Sequence, residues 1–362
     1  LIILGSTGSI GVNALDVCER MGLGIELLCA GNNCELLKKQ IEKFHPKYAC
    51  IEKNDGSLGQ NYMGAKIFYG ANGLSEALKK TTSTKALNAI VGFAGLRSTL
   101  ECMALGKEVA LANKESLVAA GKFIDTSKII PVDSEHFALW YLNRGGSIRK
   151  MTITASGGAL RDAPLKEIYA SSVGDVLKHP NWTMGRKITV DSATMVNKLF
   201  EIIEAHWLFG GDISYDAIIE TSSTIHAMIE FDDGVTTAQM SEPDMRLPIS
   251  YALTGKAAPK LLNSIDLVRL GSLEFRAIEE VRYPVWRLKE ALLVNPSSAL
   301  VLNAANEIAV AAFLDERIAF GEIANTIFAA YERYESAKTD SIDDVFALNN
   351  EVRNYANSVL KA

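Results

Sequence analysis

A cluster of polar residues shares one face of a helix in the middle of this chain. Asn197, Glu201 and Glu204 fall at i, i+4 and i+7, and Lys198 lies beside them, three residues before Glu201. Two carboxylates, an amide and an ammonium so arranged can hold a metal ion and an anionic substrate. They can also form a solvated face of i,i+3 pairs, and the helix pattern alone favours that plainer reading. A second acidic pair, Asp133 and Glu135, lies on an Asp-Ser-Glu turn. Hard carboxylate oxygens suit Mg²⁺ or Mn²⁺, yet taken alone the same tripeptide is more often a helix N-cap followed by first-turn acids. Ser156-Gly157-Gly158 offers a hydroxyl and free amides to an anion. Glu242-Pro243-Asp244-Met245-Arg246 reads as readily as a loop salt bridge.

The elements that position these groups begin at the first residues. Leu1-Ile2-Ile3-Leu4 is a short β-type run, followed at once by Gly5-Ser6-Thr7-Gly8-Ser9-Ile10-Gly11 and a helical pattern over 12–21. A strand, glycine turn and helix in that order let backbone amides and a helix N-terminus approach a pyrophosphate. A second strand, 25–30, ends in Gly31-Asn32-Asn33. No acid stands there to hold a ribose 2′-hydroxyl, which leans toward NADP rather than NAD. Strands are expected at 48–51, 66–69, 89–91, 108–111 and 129–132, most of them separated by helical stretches such as 74–80 and 97–105. This alternation is that of an α/β, doubly wound (Rossmann-like) parallel sheet. Ligands bind at the carboxyl ends of such strands, where Asn113-Lys114-Glu115 and Asp133-Ser134-Glu135 both fall.

Further on, a strand at 150–154 and strands at 217–220, 225–231 and 236–240 predict a second, α+β domain, with Asp232-Asp233-Gly234 as a hairpin turn. Residues 187–191 alternate like a short strand. Helical periodicity over 285–293, 297–315, 320–334 and 342–360 predicts a C-terminal helical bundle. The expected division is a nucleotide-binding domain at 1–132, a catalytic and connective domain at 133–262, a linker at 263–284 and a helical domain at 285–362.

Composition is that of an ordinary globular protein, 48% hydrophobic and 22% charged. A net charge of −6 argues against a general nucleic-acid or anionic-membrane surface. Five cysteines, without a CxxC pair, indicate neither a disulfide framework nor a zinc site, and fit a reducing, cytoplasmic compartment. The chain opens at Leu1, already inside an apolar run, so a few preceding residues are expected.

The motifs GSTGSIG, LANKESLV, PVDSEH, SGGALRDAP, HPNWTMGRKITVDSATM with its following NK, EPDMR and LNAANEIAVAAF, in this order, closely resemble 1-deoxy-D-xylulose 5-phosphate reductoisomerases. The resemblance implies an enzyme of the methylerythritol phosphate route to isoprenoids. It would rearrange 1-deoxy-D-xylulose 5-phosphate, a phosphorylated ketose, to a branched aldehyde and reduce that with NADPH to 2-C-methyl-D-erythritol 4-phosphate. It implies NADPH contacts at Thr7, Gly8, Ser9, Ile10, Gly31, Asn32, Asn33, Asn113, Glu115 and Gly185. Many relatives carry a cation where Asn32 stands, so the grip on the 2′-phosphate differs here. The implied ligands of Mg²⁺ or Mn²⁺ are Asp133, Glu135 and Glu201. Lys114, Ser134 and Glu135 would surround the reacting oxygens, with Lys114 and Glu135 managing the proton and Glu204 orienting the metal ligands. Ser156, His179, Ser192, Asn197 and Lys198 would gather the phosphate end. Trp182 and Met184 lie in a loop that would close over substrate. The resemblance also implies a homodimer, with the second sheet as the contact. A plain NAD(P)-dependent dehydrogenase without rearrangement is the alternative; a non-catalytic NADP-binding sensor is a third reading, and neither has use for a metal-binding trio of acids.

Overall fold

The computed structural model describes residues 1–53, 56–143 and 145–361. The chain divides into two compact units, each built from separate stretches: Leu1–Asn113, Asp125–Ser134 and Asp244–Asn263 form the first, and Lys114–Ile124, Glu135–Pro243 and Ser264–Ala362 the second.

The first unit is organised on an eight-stranded sheet of β1 (Ile2–Leu4), β2 (Leu27–Ala30), β3 (Tyr48–Ile51), β4 (Asn61–Tyr62), β5 (Ala65–Tyr69), β6 (Lys85–Asn88), β7 (Glu108–Leu111) and β8 (Ile129–Pro131). Their order is β4-β5-β3-β2-β1-β6-β7-β8, and every pairing but β4–β5 is parallel. Ile2, Ile3 and Leu4 are fully buried. This is why the strand reads as an unbroken apolar run: a parallel strand is covered on both faces, and each such side chain contributes roughly 1.5–3 kcal/mol of burial. β1 pairs with β2 on one side and β6 on the other, Leu4 standing opposite both Cys29 and Asn88. The strand order reverses there, which places a topological switch point at the carboxyl end of β1. The helix Ser9–Met21 starts at this point with Gly8 as its N-cap and no side chain capping it.

Two local readings change. The apolar residues 89–91 lie outside the sheet, and the strand is β6, just before them. Its register is fixed by both neighbours, and Asn88 turns the chain away by accepting the Ile90 N–H at 3.1 Å. Residues 187–191 belong to the helix Arg186–Thr194. The spacing that alternates as a strand also places Lys187 and Asp191 at i and i+4, where they pair at 2.8 Å.

The second unit carries a five-stranded sheet of β9 (Ile148–Ala155), β10 (Ser214–Glu220), β11 (Ile225–Phe231), β12 (Thr236–Met240) and β13 (Phe275–Arg276), in the order β12-β11-β9-β10-β13. Only β9–β10 is parallel. Its C-terminal helices are Ala299–Leu314, Glu322–Tyr334 and Ile342–Val359. The stretch Pro296–Leu314 is long and apolar enough to cross a membrane, but 72% of its apolar window is buried inside the structure, as the central helix of a core requires.

Candidate functional site

The helix Val196–Phe209 follows the helix Arg186–Thr194 after one residue, Met195, at φ 66°. This left-handed joint leaves no room for a polar spacer, and the helix enters the interior at once. Lys198, Glu201 and Glu204 are 4%, 1% and 3% exposed, so the polar face is not a solvated one. Charges that deep persist only when paired. Lys114 Nζ donates to Glu201 Oε1 at 2.9 Å and to Asn197 Oδ1 at 2.8 Å. Asn197 Nδ2 donates to Glu201 Oε1 at 2.5 Å. The Lys198 ammonium lies 2.5 Å from Glu135 Oε1 and also meets Glu201 Oε2. His136, fully buried, has Nε2 2.8 Å from the Glu201 carbonyl and Nδ1 3.8 Å from Glu204 Oε2.

Asp133 directly precedes the helix Ser134–Leu142. The Asp-Ser-Glu turn thus starts a helix and still leaves both carboxylates able to offer oxygens, so the two readings do not compete. Asp133, Glu135 and Glu201 each offer an oxygen within 4.8 Å of the others. Three convergent hard donors, with lysines to balance their charge, fit a divalent cation such as Mg²⁺ or Mn²⁺.

The loop 179–185 carries no regular structure. His179 Nδ1 accepts the backbone N–H groups of Asn181 and Trp182 at 3.2 and 2.9 Å. The ring proton is thereby assigned to Nε2, which donates to Ser156 Oγ at 2.8 Å. Gly158 N–H donates to the same Oγ at 3.1 Å. With both its lone pairs engaged, the Ser156 hydroxyl can turn its own hydrogen toward an anion. Gly158 has φ +68°, and a Cβ there would stand 2.6 Å from Ala193 Cα and 2.8 Å from the Ser192 carbonyl. Glycine thus seats the turn against the end of the helix that carries Ser192. Asn181 ties the loop to the second sheet through the Thr221 carbonyl and Ser223 Oγ, and the Trp182 ring lies 6.2 Å from that of His226.

Burial, aided by the charges of Lys198 and Arg161, pushes His179 from its usual 6.5 down to about 4. The neutral ring is the one the two N–H groups require. Its contribution to stability is fully present above pH 6.5 and is lost as pH falls toward about 4. We expect the His179 ring to titrate near 4 by NMR, with Trp182 fluorescence changing over the same range; a midpoint near 6.5 would contradict the tautomer assignment.

In the first unit, Thr7 and Gly8 lie in the turn after β1, Ser9 and Ile10 open the helix Ser9–Met21, and Gly31, Asn32 and Asn33 follow the neighbouring strand β2. Asn33 Oδ1 caps its own helix by accepting the Leu36 N–H at 3.1 Å. Asn113 Nδ2 donates to the Gly92 carbonyl at 2.8 Å. Glu115 and Gly185 belong to the second unit; Glu115 pairs with Lys187 at 3.0 Å, and Gly185 is the N-cap of the Arg186–Thr194 helix. Sequence reasoning passed over Lys187, Asp191 and His136. The one available signal was the i,i+4 spacing of Lys187 and Asp191.

A parallel sheet with a glycine turn at its switch point, together with a lysine-braced carboxylate cluster, defines a dinucleotide-dependent enzyme of the metal-assisted kind. Family models described as 1-deoxy-D-xylulose 5-phosphate reductoisomerase, its C-terminal domain, and the DXP reductoisomerase C-terminal domain match residues 1–121, 129–209 and 240–355. The chain belongs to the 1-deoxy-D-xylulose 5-phosphate reductoisomerase family. It is 50% identical to the enzyme of that name from Nautilia profundicola, covering 99% of both chains, and 50% identical to that from Wolinella succinogenes, covering 99% of this chain and 100% of the relative. A crystal structure of DOX-P reductoisomerase in complex with NADPH, fosmidomycin and magnesium superposes with a TM-score of 0.93 at 33% identity, covering 99% of this chain and 98% of that one.

Proposed function

We propose that the protein converts 1-deoxy-D-xylulose 5-phosphate to 2-C-methyl-D-erythritol 4-phosphate with NADPH and Mg²⁺ or Mn²⁺. The observation that carries this is the convergence of Asp133, Glu135 and the buried Glu201, with Lys114 and Lys198 pairing to the two glutamates. A simple hydride transfer needs no such trio. The cation supplies Lewis acidity and a template for the adjacent substrate oxygens, and NADPH supplies the hydride.

The chain's own groups do the rest. Asp133, Glu135 and Glu201 hold the cation, with Glu204 and His136 fixing the helix behind Glu201. Lys114 stabilises negative charge developing on a substrate oxygen, and with Glu135 manages the proton. Ser134 lies beside the reacting groups. Ser156, His179, Ser192, Asn197 and Lys198 hold the phosphate, whose binding energy draws the 179–185 loop over the substrate, with Trp182 and Met184 excluding water. Thr7, Gly8, Ser9 and Ile10 approach the pyrophosphate of NADPH; Gly31, Asn32, Asn33, Asn113, Glu115 and Gly185 complete its contacts. We assign the division 1–132, 133–262, 263–284 and 285–362 to cofactor, catalytic, linking and helical roles, apart from Lys114–Ile124, which packs in the second unit, and Asp244–Asn263, which packs in the first. A homodimer through the second sheet and a cytoplasmic location fit the family and the five free, buried cysteines.

The test is product identification. With deoxyxylulose phosphate, NADPH and Mn²⁺, NADPH oxidation should accompany formation of the branched polyol phosphate. Chelation should lower the rate by at least ~100-fold, with recovery on adding Mg²⁺ or Mn²⁺. Oxidation with an unbranched product would support a plain dehydrogenase instead, and no oxidation with any carbonyl would support the sensor.

A further inference from the structure

We propose that Lys187 is a positioning residue for Lys114, holding in place the helix turn from which Lys114 reaches the carboxylate cluster. This rests on the functional reading above.

Lys187 lies in the first turn of the Arg186–Thr194 helix. Its Nζ is 3.0 Å from Glu115 Oε1 and 2.8 Å from Asp191 Oδ2, and 5.5 Å from the centre of the Phe200 ring. Asp191 Oδ1 accepts from Asn306 Nδ2 at 2.8 Å. Glu115, Asp191 and Asn306 are all buried. Burial works against the charge on Lys187, but Asp191 and Glu115 outweigh it and hold the ammonium above its ordinary value, with Glu307 adding to them. The group is a permanent cation between two acids from different helices.

What this network holds is set by chain geometry. Glu115 follows Lys114 at the start of the helix Lys114–Ala120. Successive helix residues point about 100° apart, so the two side chains leave the turn in different directions. Lys114 reaches Glu201 and Asn197 on the Val196–Phe209 helix, while Glu115 reaches Lys187 on the Arg186–Thr194 helix. The turn is thus fastened by ion pairs to two helices at once. Without the Lys187 ammonium, two buried acids lose their shared cation, and the turn that carries Glu115 loses its tie to the Arg186–Thr194 helix. The turn then shifts, and Lys114 moves with it. A displacement of about 1 Å in a catalytic group can cost on the order of 100-fold in rate.

The experiment uses the full chain with deoxyxylulose phosphate, Mn²⁺ and saturating NADPH. Lys187→Met should lower kcat by roughly 10- to 100-fold, with KM for the ketose phosphate changed by less than about threefold, because the Ser156–His179 pair is untouched. NADPH affinity, read by fluorescence titration, should fall by less than kcat does, because Glu115, the partner of Lys187, is one proposed cofactor contact among several. Since an unpaired buried acid can itself destabilise the fold, the triple variant Lys187→Met/Glu115→Gln/Asp191→Asn serves as companion. It leaves no buried charge in the network and should melt close to the native temperature while kcat stays low. Near-native kcat in the companion would make the network merely structural and overturn the proposal. So would a loss confined to NADPH affinity, or a native kcat in a folded Lys187→Met. Absence of turnover in the native chain would overturn the functional reading and this proposal together, whereas native turnover with an unchanged variant would overturn this proposal alone.

Discussion

Replacing Glu201 with Gln is expected to stop turnover and leave NADPH binding intact. Glu201 is 1% exposed, and its two oxygens serve several partners: Lys114 and Asn197 on one, Lys198 on the other. It is also one of three carboxylates able to share a cation. An amide keeps the shape and removes the charge. The cation then loses an anionic ligand, and two buried ammonium groups lose part of their compensation. Metal-assisted charge stabilisation is worth several kcal/mol, so a fall in kcat of at least ~1,000-fold is expected. Mn²⁺ affinity, followed by electron paramagnetic resonance, should fall with it. The glycine turn belongs to the other unit, and NADPH affinity should stay within about twofold, as for independent sites. Turnover near the native rate would remove Glu201 from the metal site.

The complementary result is expected at Gly11. A Cβ there would stand 2.2 Å from the Gly5 carbonyl oxygen and 2.5 Å from Ser6 Cα. Both are backbone atoms of the turn, so nothing flexible can yield. Gly11→Ala must push the turn off the Ser9–Met21 helix, at a cost of about 1–3 kcal/mol in stability. NADPH affinity should fall by at least ~100-fold, because amide direction at a helix start is what an anion reads. Gly8→Ala is the control. Its Cβ would be 3.4 Å from the Gly5 oxygen, an ordinary contact, so the fold should survive while the methyl obstructs the pyrophosphate. Calorimetry and fluorescence titration separate the two effects. Mn²⁺ binding should persist in both variants; native NADPH affinity in Gly11→Ala would take the cofactor away from this turn.

Much of the fold was legible because burial writes itself into sequence. β1 is a short apolar run buried throughout, β3 and β7 are so from their second residue, and the glycine turn carries its own punctuation. The edge of β6 was not legible, because Ala89, Ile90 and Val91 are more apolar than Lys85–Asn88, and pairing with β1 and β7 decides where the sheet ends. Residues 187–191 satisfy both a period of two and an i,i+4 pair; the partners that decide between them, Glu115 and Asn306, are distant in sequence. At the site, spacing showed that Asn197, Glu201 and Glu204 share one helix face, but it favoured a solvated face, whereas Glu201 and Glu204 are buried. Where each lysine ends could not. The resemblance assigns Lys198 to the phosphate groups, and folding also brings its ammonium to Glu135 on another helix, a contact that spacing does not announce. A long flexible side chain goes where the surrounding charge directs it, and that charge is assembled only by folding.

The division of the chain also governs the order in which the protein can be completed during synthesis. Ile249, Ala252 and Leu253 belong to the core of the first unit, and Lys85 Nζ donates to the Ala252 carbonyl at 3.0 Å. That last piece, Asp244–Asn263, is translated after the Glu135–Pro243 stretch of the second unit. The first unit therefore cannot close while it is the only part outside the ribosome. Its sheet must wait with one apolar surface uncovered until more than half the polypeptide has emerged, which makes the nascent chain, rather than the finished enzyme, the form most in need of a chaperone.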